Sequence, residues 1–292
     1  MNRKPAVAGT FYPNEPSLLR RQIEKFMLPA KTKPSCVGVI SPHAGYTYSG
    51  LTAAYAINSL KPAKSFIILG PNHTGAGRGG GSSVLGRGGG SSPGSKFSLM
   101  SGGRWSTPLG DVPINERLAA ELMRRTDIFD DAGAHLAEHS IEVQLPFIQH
   151  LSRHSPAWKA YSDFSFVPVC IMNTGYDDVF LEACVSTGEI IADIIGKRNS
   201  GDIGIIASSD FSHYVAPDSI EKREKQIVKA IMELDVPKFF DALSGSDASV
   251  CGFGPIAVLM AAAKKLGLSA RDIHSSNSGG DKAVSYRAIG FE

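Results

Sequence analysis

Apolar residues in this chain fall into two kinds of stretch that alternate from end to end. Short unbroken runs of strand length are CVGVIS from Cys36, SFIILG from Ser65, FSFVPVCIM from Phe164, DIGIIASS from Asp202 and AVSYRAIGFE from Ala283. Between them lie longer stretches whose apolar residues recur three and four apart: PSLLRRQIEKFML from Pro16, SGLTAAYAINSL from Ser49, INERLAAELMRRT from Ile114 and HSIEVQLPFIQHL from His139. DDVFLEACVSTGEIIADII from Asp177, SIEKREKQIVKAIMELD from Ser219 and PIAVLMAAAKKLG from Pro255 continue the series. The second spacing matches one face of a helix, and the unbroken runs match strands buried on both faces. Their alternation predicts an α/β fold, a single domain over residues 1–292 with a central, mostly parallel sheet flanked by helices.

One region breaks the rhythm. GRGGGSS occurs at Gly77 and again at Gly86, so a Gly/Ser-rich loop insertion is expected at about residues 76–103. Sequence of this kind buries too little apolar surface to offset the entropy of ordering it, which predicts a mobile surface loop expendable to the core. Gly75 to Gly80 also satisfies G-x-G-x-x-G, but no helical pattern opens at the third glycine and no acid follows about 20 residues on, so a dinucleotide site is rejected.

Composition narrows the partners. Lys+Arg number 30 against 28 Asp+Glu among 292 residues, a balance that gives no footprint for nucleic acid or an anionic membrane. The N-terminus lacks a continuous apolar signal segment, and PIAVLMAAAKKLG, the most apolar stretch, is interrupted by lysines. A cytoplasmic location is expected. Four cysteines without a CxxC pair read as reduced thiols; Cys36, Cys170 and Cys184 sit in strand-like or helix-like runs as small hydrophobes, and only Cys251 has a different setting.

Candidate chemistry gathers where strands end. In SPHAGYTYSG, His43 stands just past CVGVIS, and in GPNHTG, His73 stands just past SFIILG. Ligands of open α/β sheets bind outside the carboxyl ends of strands, so two histidines in matching positions favour a shared site. After DIGIIA comes SSDFSHY, where Asp210 and His213 can form an oriented acid and base pair, or Asp210 can simply cap a turn. Cys251, in SVCGFGPI, precedes a helix whose N-terminus favours a thiolate, able to bind metal or attack a substrate. A rival is His135-Leu136-Ala137-Glu138-His139, which fits the H-x-x-E-H zinc-hydrolase pattern with Glu138 as base. His150, His154 and His274 have no comparable setting and read as surface or satisfied histidines.

Taken in order, AGTFYP, SPHAGYTYSG, GPNHTG, EHSIEVQLPF, SSDFSHY and CGFGPI resemble the signature blocks of the Memo family, which includes the AmmeMemoRadiSam system B proteins and is related to the class III extradiol (LigB-type) dioxygenases. The resemblance implies a LigB-like domain with one metal ion, iron(II) or copper with zinc possible, on His43, His73 and Cys251. It implies His213 and Asp210 beside the ion as catalytic groups. His139, Glu142, Tyr46 and Asn72 are implied to line the pocket or brace it, with Glu138 and Gln144 in the same block, which weakens the zinc-hydrolase reading. The function implied is a non-heme, metal-dependent, dioxygenase-like oxidoreductase acting on a small molecule. The alternative is a non-catalytic module binding a peptide or modified side chain. Association with a radical SAM protein and an AMMECR-type protein is implied by resemblance alone.

Overall fold

A computed structural model describes residues 1–30, 33–77, 96–198, 202–246 and 248–292. β1 (Asn2–Arg3) belongs to a small three-stranded sheet with β5 (Arg104–Thr107) and β6 (Gly110–Pro113). The main sheet contains β2 (Gly38–Ser41), β3 (Ser65–Pro71), β4 (Phe97–Leu99), β7 (Phe129–Asp130), β8 (Ser165–Ile171), β9 (Ile203–Ser208), β10 (Ala270–Asn277) and β11 (Ser285–Phe291). Its order is β10-β11-β2-β9-β3-β8-β4-β7, and the middle four, β2-β9-β3-β8, are all parallel. β11 and β4 flank them antiparallel, so the expected mostly parallel sheet of an α/β domain is present.

Side chains of a strand alternate faces, which divides the core in two. On one face Phe66, Ile68, Phe166 and Ile206 pack with α1 (Pro16–Met27), α2 (Tyr46–Ser59) and α4 (Leu145–His154). On the other, Ile67, Leu69, Val167, Val169 and Ile205 pack with α3 (Glu116–Arg125), α5 (Asp178–Gly196), α6 (Ile220–Met232), α7 (Val236–Ser244) and α8 (Phe253–Lys265). Burial on both faces is why these strands read as unbroken apolar runs. No helix among the described residues is long and apolar enough to cross a membrane.

Two expectations change. The stretch 76–103 is not all loop: Phe97–Leu99 is the fully buried β4, paired with β8 through Phe97↔Ile171, so apolar pairing resumes directly after the Gly/Ser repeats. Residues 78–95, which carry most of the duplication and half of the rejected glycine motif, lie outside the described residues. The helix expected from His139 starts later, as a 3-10 turn at Glu142–Gln144 leading into α4, because Glu142 and Gln144 turn inward to polar partners.

Candidate metal centre

The parallel strands deliver their chemistry to one edge. β2 ends at Ser41, two residues before His43; β3 ends at Pro71, two before His73; β9 ends at Ser208, two before Asp210. A third imidazole comes from a segment the strand pattern does not predict. Residues 138–141 cross the end of β3 so closely that a Cβ on Gly70 would lie 2.5 Å from Ser140 Oγ and 2.7 Å from Ile141 Cγ1, and that approach carries His139 inward. His43, His73 and His139 each offer a ligand atom, and these atoms all lie within 4.8 Å of one another. His43 is buried, His139 intermediate and His73 exposed, so the cluster opens to solvent on the His73 side.

The hydrogen bonds fix which nitrogen each ring offers. Ser208 Oγ donates to Ser140 O at 2.7 Å and accepts from Gln144 Nε2 at 2.9 Å. The amide orientation of Gln144 is set in turn, since its Nε2 donates to Pro42 O and its Oε1 accepts from Ser41 Oγ. A hydroxyl has one proton and two lone pairs, so Ser208 can only accept from His43 Nδ1, 2.9 Å away. His43 therefore carries its proton on Nδ1 and presents a bare Nε2 lone pair. His73 Nδ1 lies 3.0 Å and His139 Nδ1 3.4 Å from Glu138 Oε1, an acceptor when ionised, which leaves Nε2 free on both.

Electrostatics agrees with that assignment. Burial pushes His43 well below the usual imidazole range, helped by His73 and His139, and burial likewise lowers His139. Burial alone would raise Glu138, but the hydrogen bond and charge of His73, the charge of His139 and the Ser140 N–H bring it down to about 2. A carboxylate hydrogen-bonded behind imidazoles is the arrangement that orients metal-binding histidines. The donor set fits a divalent transition ion bound by nitrogen.

Cys251 stands against this trio. Gly252, whose Cβ would fall 2.3 Å from Ser208 O, lets the turn before α8 press onto the end of β9. Cys251 Sγ lies 3.1 Å from His43 Nε2 and accepts the Asp210 N–H at 3.2 Å. That Nε2 and the Asp210 carbonyl oxygen, 3.5 Å away, are both acceptors within reach of the S–H. Burial and the Asp210 charge push the thiol well above its ordinary value.

Asp210 and His213 do not form the expected pair. Asp210 Oδ1 accepts from the His43 N–H at 2.8 Å and the Ala44 N–H at 3.3 Å, clamping the His43 turn, and burial raises its carboxyl to about 6. The His213 ring is oriented by Ser249 O, 2.7 Å from Nδ1, so its Nε2 is also bare. Of the other expected residues, Asn72 accepts from Thr74 N and Gly75 N and shapes the His73 turn. Glu142 is buried in a structural knot with Arg3 at 2.6 Å, the Ala6 and Val7 N–H groups and the Tyr12 hydroxyl, and Tyr46 is a core residue bonded to Val143 O. His135 belongs to the core, edge-on to Trp105 at 5.7 Å, and residues 136–139 are not helical, so His135 and His139 do not share one face and the H-x-x-E-H reading falls.

Fold and site together define an α/β domain with an imidazole-rich candidate metal centre at the carboxyl edge of its sheet. Comparison with known proteins narrows this: the profile of the Memo-like protein family matches residues 3–291, and the chain belongs to that family. A MEMO1 family protein of Thermoplasma volcanium is 36% identical over 300 residues, covering 99% of this chain and 98% of its own. One of Methanosarcina barkeri is 36% identical over 294 residues, covering 98% of each. Among solved structures, an uncharacterized protein of Escherichia coli superposes with a TM-score of 0.47 at 9% identity, over 87% of this chain and 99% of that one, too distant to carry an argument.

Proposed function

We propose that the chain is a metal-dependent oxidoreductase that holds one iron or copper ion on the Nε2 atoms of His43, His73 and His139, with the Cys251 thiol beside His43 as a further donor, and acts on a small molecule. The observation that carries the reading is the saturated Ser208 hydroxyl, which commits the most buried imidazole of the cluster to the tautomer a metal needs. Zinc also suits three nitrogens and a nearby thiol; the resemblance of the motif blocks to a family related to dioxygenases is what favours a redox ion. When bound, such an ion supplies a Lewis-acidic, one-electron-active centre with an open position for a ligand.

The chain's own residues have separate tasks. Glu138 and Ser208 hold three rings in place, and Asp210 fixes the His43 turn through two backbone N–H groups. His213, held through Nδ1 with Nε2 free, accepts a proton from the substrate and returns it. His213→Ala is expected to keep its metal and lose about 10²-fold in turnover, in line with general acid–base contributions. The decisive experiment is metal analysis of anaerobically purified protein followed by dioxygen uptake with reductant. Close to one iron or copper per chain, lost in His43→Ala and His73→Ala, with metal-dependent uptake, is the expected result. Stoichiometric zinc without uptake overturns the redox assignment, and no retained metal overturns the site.

A further inference from the structure

His150 and His154, which have no distinctive setting in the sequence, stand one turn apart on α4. Four residues is the spacing at which two helical histidines share a face and chelate one metal ion. The same spacing at His135 and His139 fails because residues 136–139 are not helical, whereas α4 is helical from Leu145 to His154. The two ring centres are 4.5 Å apart, with 22° between the ring planes.

Hydrogen bonding leaves both rings able to ligate. His154 is exposed and brings its Nδ1 within 2.9 Å of His150 O. A carbonyl oxygen only accepts, so the proton of the neutral ring is on Nδ1 and the Nε2 lone pair is bare. His150 is 7% exposed, and its Nδ1 is buried with no hydrogen-bond partner among the described residues. An unpartnered buried nitrogen costs free energy that an apolar side chain of similar size would avoid, so packing alone gives no reason for an imidazole there. Burial and the neighbouring His154 lower His150 to about 4, which keeps its ring uncharged at neutral pH. No Nδ1 hydrogen bond resists the turning of that ring about its Cβ–Cγ bond, a motion that leaves the ring centre in place.

We propose that His150 and His154 clasp a divalent transition ion of the copper(II) or nickel(II) type, in a second site distinct from the histidine cluster at the sheet edge. An ion about 2.1 Å from each ligating nitrogen lies about 3.2 Å from each ring centre, so centres 4.5 Å apart subtend about 90° at it. That is the angle between neighbouring ligands in tetragonal and octahedral sites, which suit copper(II) and nickel(II), and it is narrower than the tetrahedral angle of zinc. The pair also lies at the carboxyl end of α4, where the last carbonyls give the helix its negative pole and favour a cation. Gln144, which bonds to Ser208 behind the cluster, precedes His150 by roughly 9 Å of helical rise, so the two sites share no ligand. Two protein ligands leave the other positions to water, and such an ion exchanges readily. It is lost on purification, so the one ion per chain expected of purified protein is unaffected.

The test is equilibrium dialysis against nickel(II) at about pH 8, where imidazoles are ordinarily uncharged, for wild-type protein, His154→Ala and His43→Ala/His73→Ala. Nickel(II) is the probe because it does not oxidise thiols as copper(II) does. Wild-type protein is expected to take up an equivalent that His43→Ala/His73→Ala retains and that His154→Ala binds about tenfold or more weakly, since one imidazole lacks the advantage of two linked ones. His154 is exposed, so its replacement leaves the fold intact, which an unchanged melting temperature of metal-free protein checks. Equal nickel uptake by the wild type and His154→Ala overturns the proposal. Loss of all nickel binding in a still-folded His43→Ala/His73→Ala also overturns it, by tracing every bound ion to the cluster. Wild-type binding that depends on His154 alone and not on His43 or His73 supports this site while counting against a metal at the cluster.

Discussion

Glu138 offers the most direct single-residue test of how the centre is held. Its Oε1 faces two imidazoles and takes the His139 and Ser140 N–H groups, and its Oε2 takes the His73 N–H at 2.6 Å. Glu138→Gln keeps the volume but replaces one acceptor oxygen with a donor and removes the charge that balances the rings. Metal affinity should fall about 10- to 100-fold, the usual effect of losing a group that orients ligating histidines, measured by competition with a chromophoric chelator. An unchanged affinity means that the carboxylate does not set the rings. Ser208 makes a matching claim that NMR can check directly: nitrogen shifts of His43 in metal-free protein should report the Nδ1–H tautomer, and the Nε2–H form would contradict the network. Ser208 draws no attention in the sequence because it sits in a strand end like many others; Glu138 was visible there as the possible base of H-x-x-E-H and as part of a motif block, but its role behind the rings depends on a crossing that only the folded chain reveals. His43 and His73 were legible because each follows a strand. His139 was legible as a histidine of H-x-x-E-H and as part of a motif block lining the pocket, but its place among the three rings was not.

At the level of elements, the strand runs were readable because double-sided burial leaves no polar alternation, and so were the helices with one apolar stripe. β10 escaped notice because ARDIHSSN is an edge strand of mixed polarity and only partly buried. β4 escaped because three residues directly behind a Gly/Ser tract carry too little pattern. Phe97 is nevertheless 3% exposed, so Phe97→Ala should cost about 3–5 kcal/mol of stability, seen in a urea titration. A cost under about 1 kcal/mol would return that segment to the loop the composition suggests. The crossing of residues 138–141 over β3 has its own probe. Gly70→Ala puts a methyl where Ser140 Oγ and Ile141 Cγ1 already are, at 2.5 and 2.7 Å, and relief requires lifting the segment that carries His139. The variant should lose roughly 1–3 kcal/mol, as overpacked sites do, together with metal affinity. Loss of stability with metal binding intact would mean that His139 is not needed as a ligand.

Across the whole molecule the polar groups that folding buries set how stability follows pH, and two of them lie outside the metal centre. His135, fully buried beside Arg3, is lowered to about 4 chiefly by burial and then by that guanidinium. His150, 7% exposed on α4, is lowered to about 4 by burial and by His154. For both, the unfolded chain binds a proton near pH 6.5 and the native state only near 4, so unfolding takes up protons in that window and stability falls as pH drops through it. His43 and His139, also lowered, act in the same direction. Asp210, raised to about 6, acts against them: the native state protonates first, adding stability as pH falls from about 6 toward the ordinary carboxyl range. His274 is lowered by burial as well, so five imidazoles oppose one raised carboxyl and the net sign is loss. Each of the two core histidines contributes at most about 3.4 kcal/mol, the equivalent of the drop from 6.5 to about 4. Metal-free protein should therefore show a melting temperature that is level above pH 7 and declines from about pH 6.5 to 4. The His135→Leu/His150→Leu variant should decline less over the same range, whatever its stability at neutral pH. Parallel curves for the two proteins would mean that neither imidazole is buried in its neutral form.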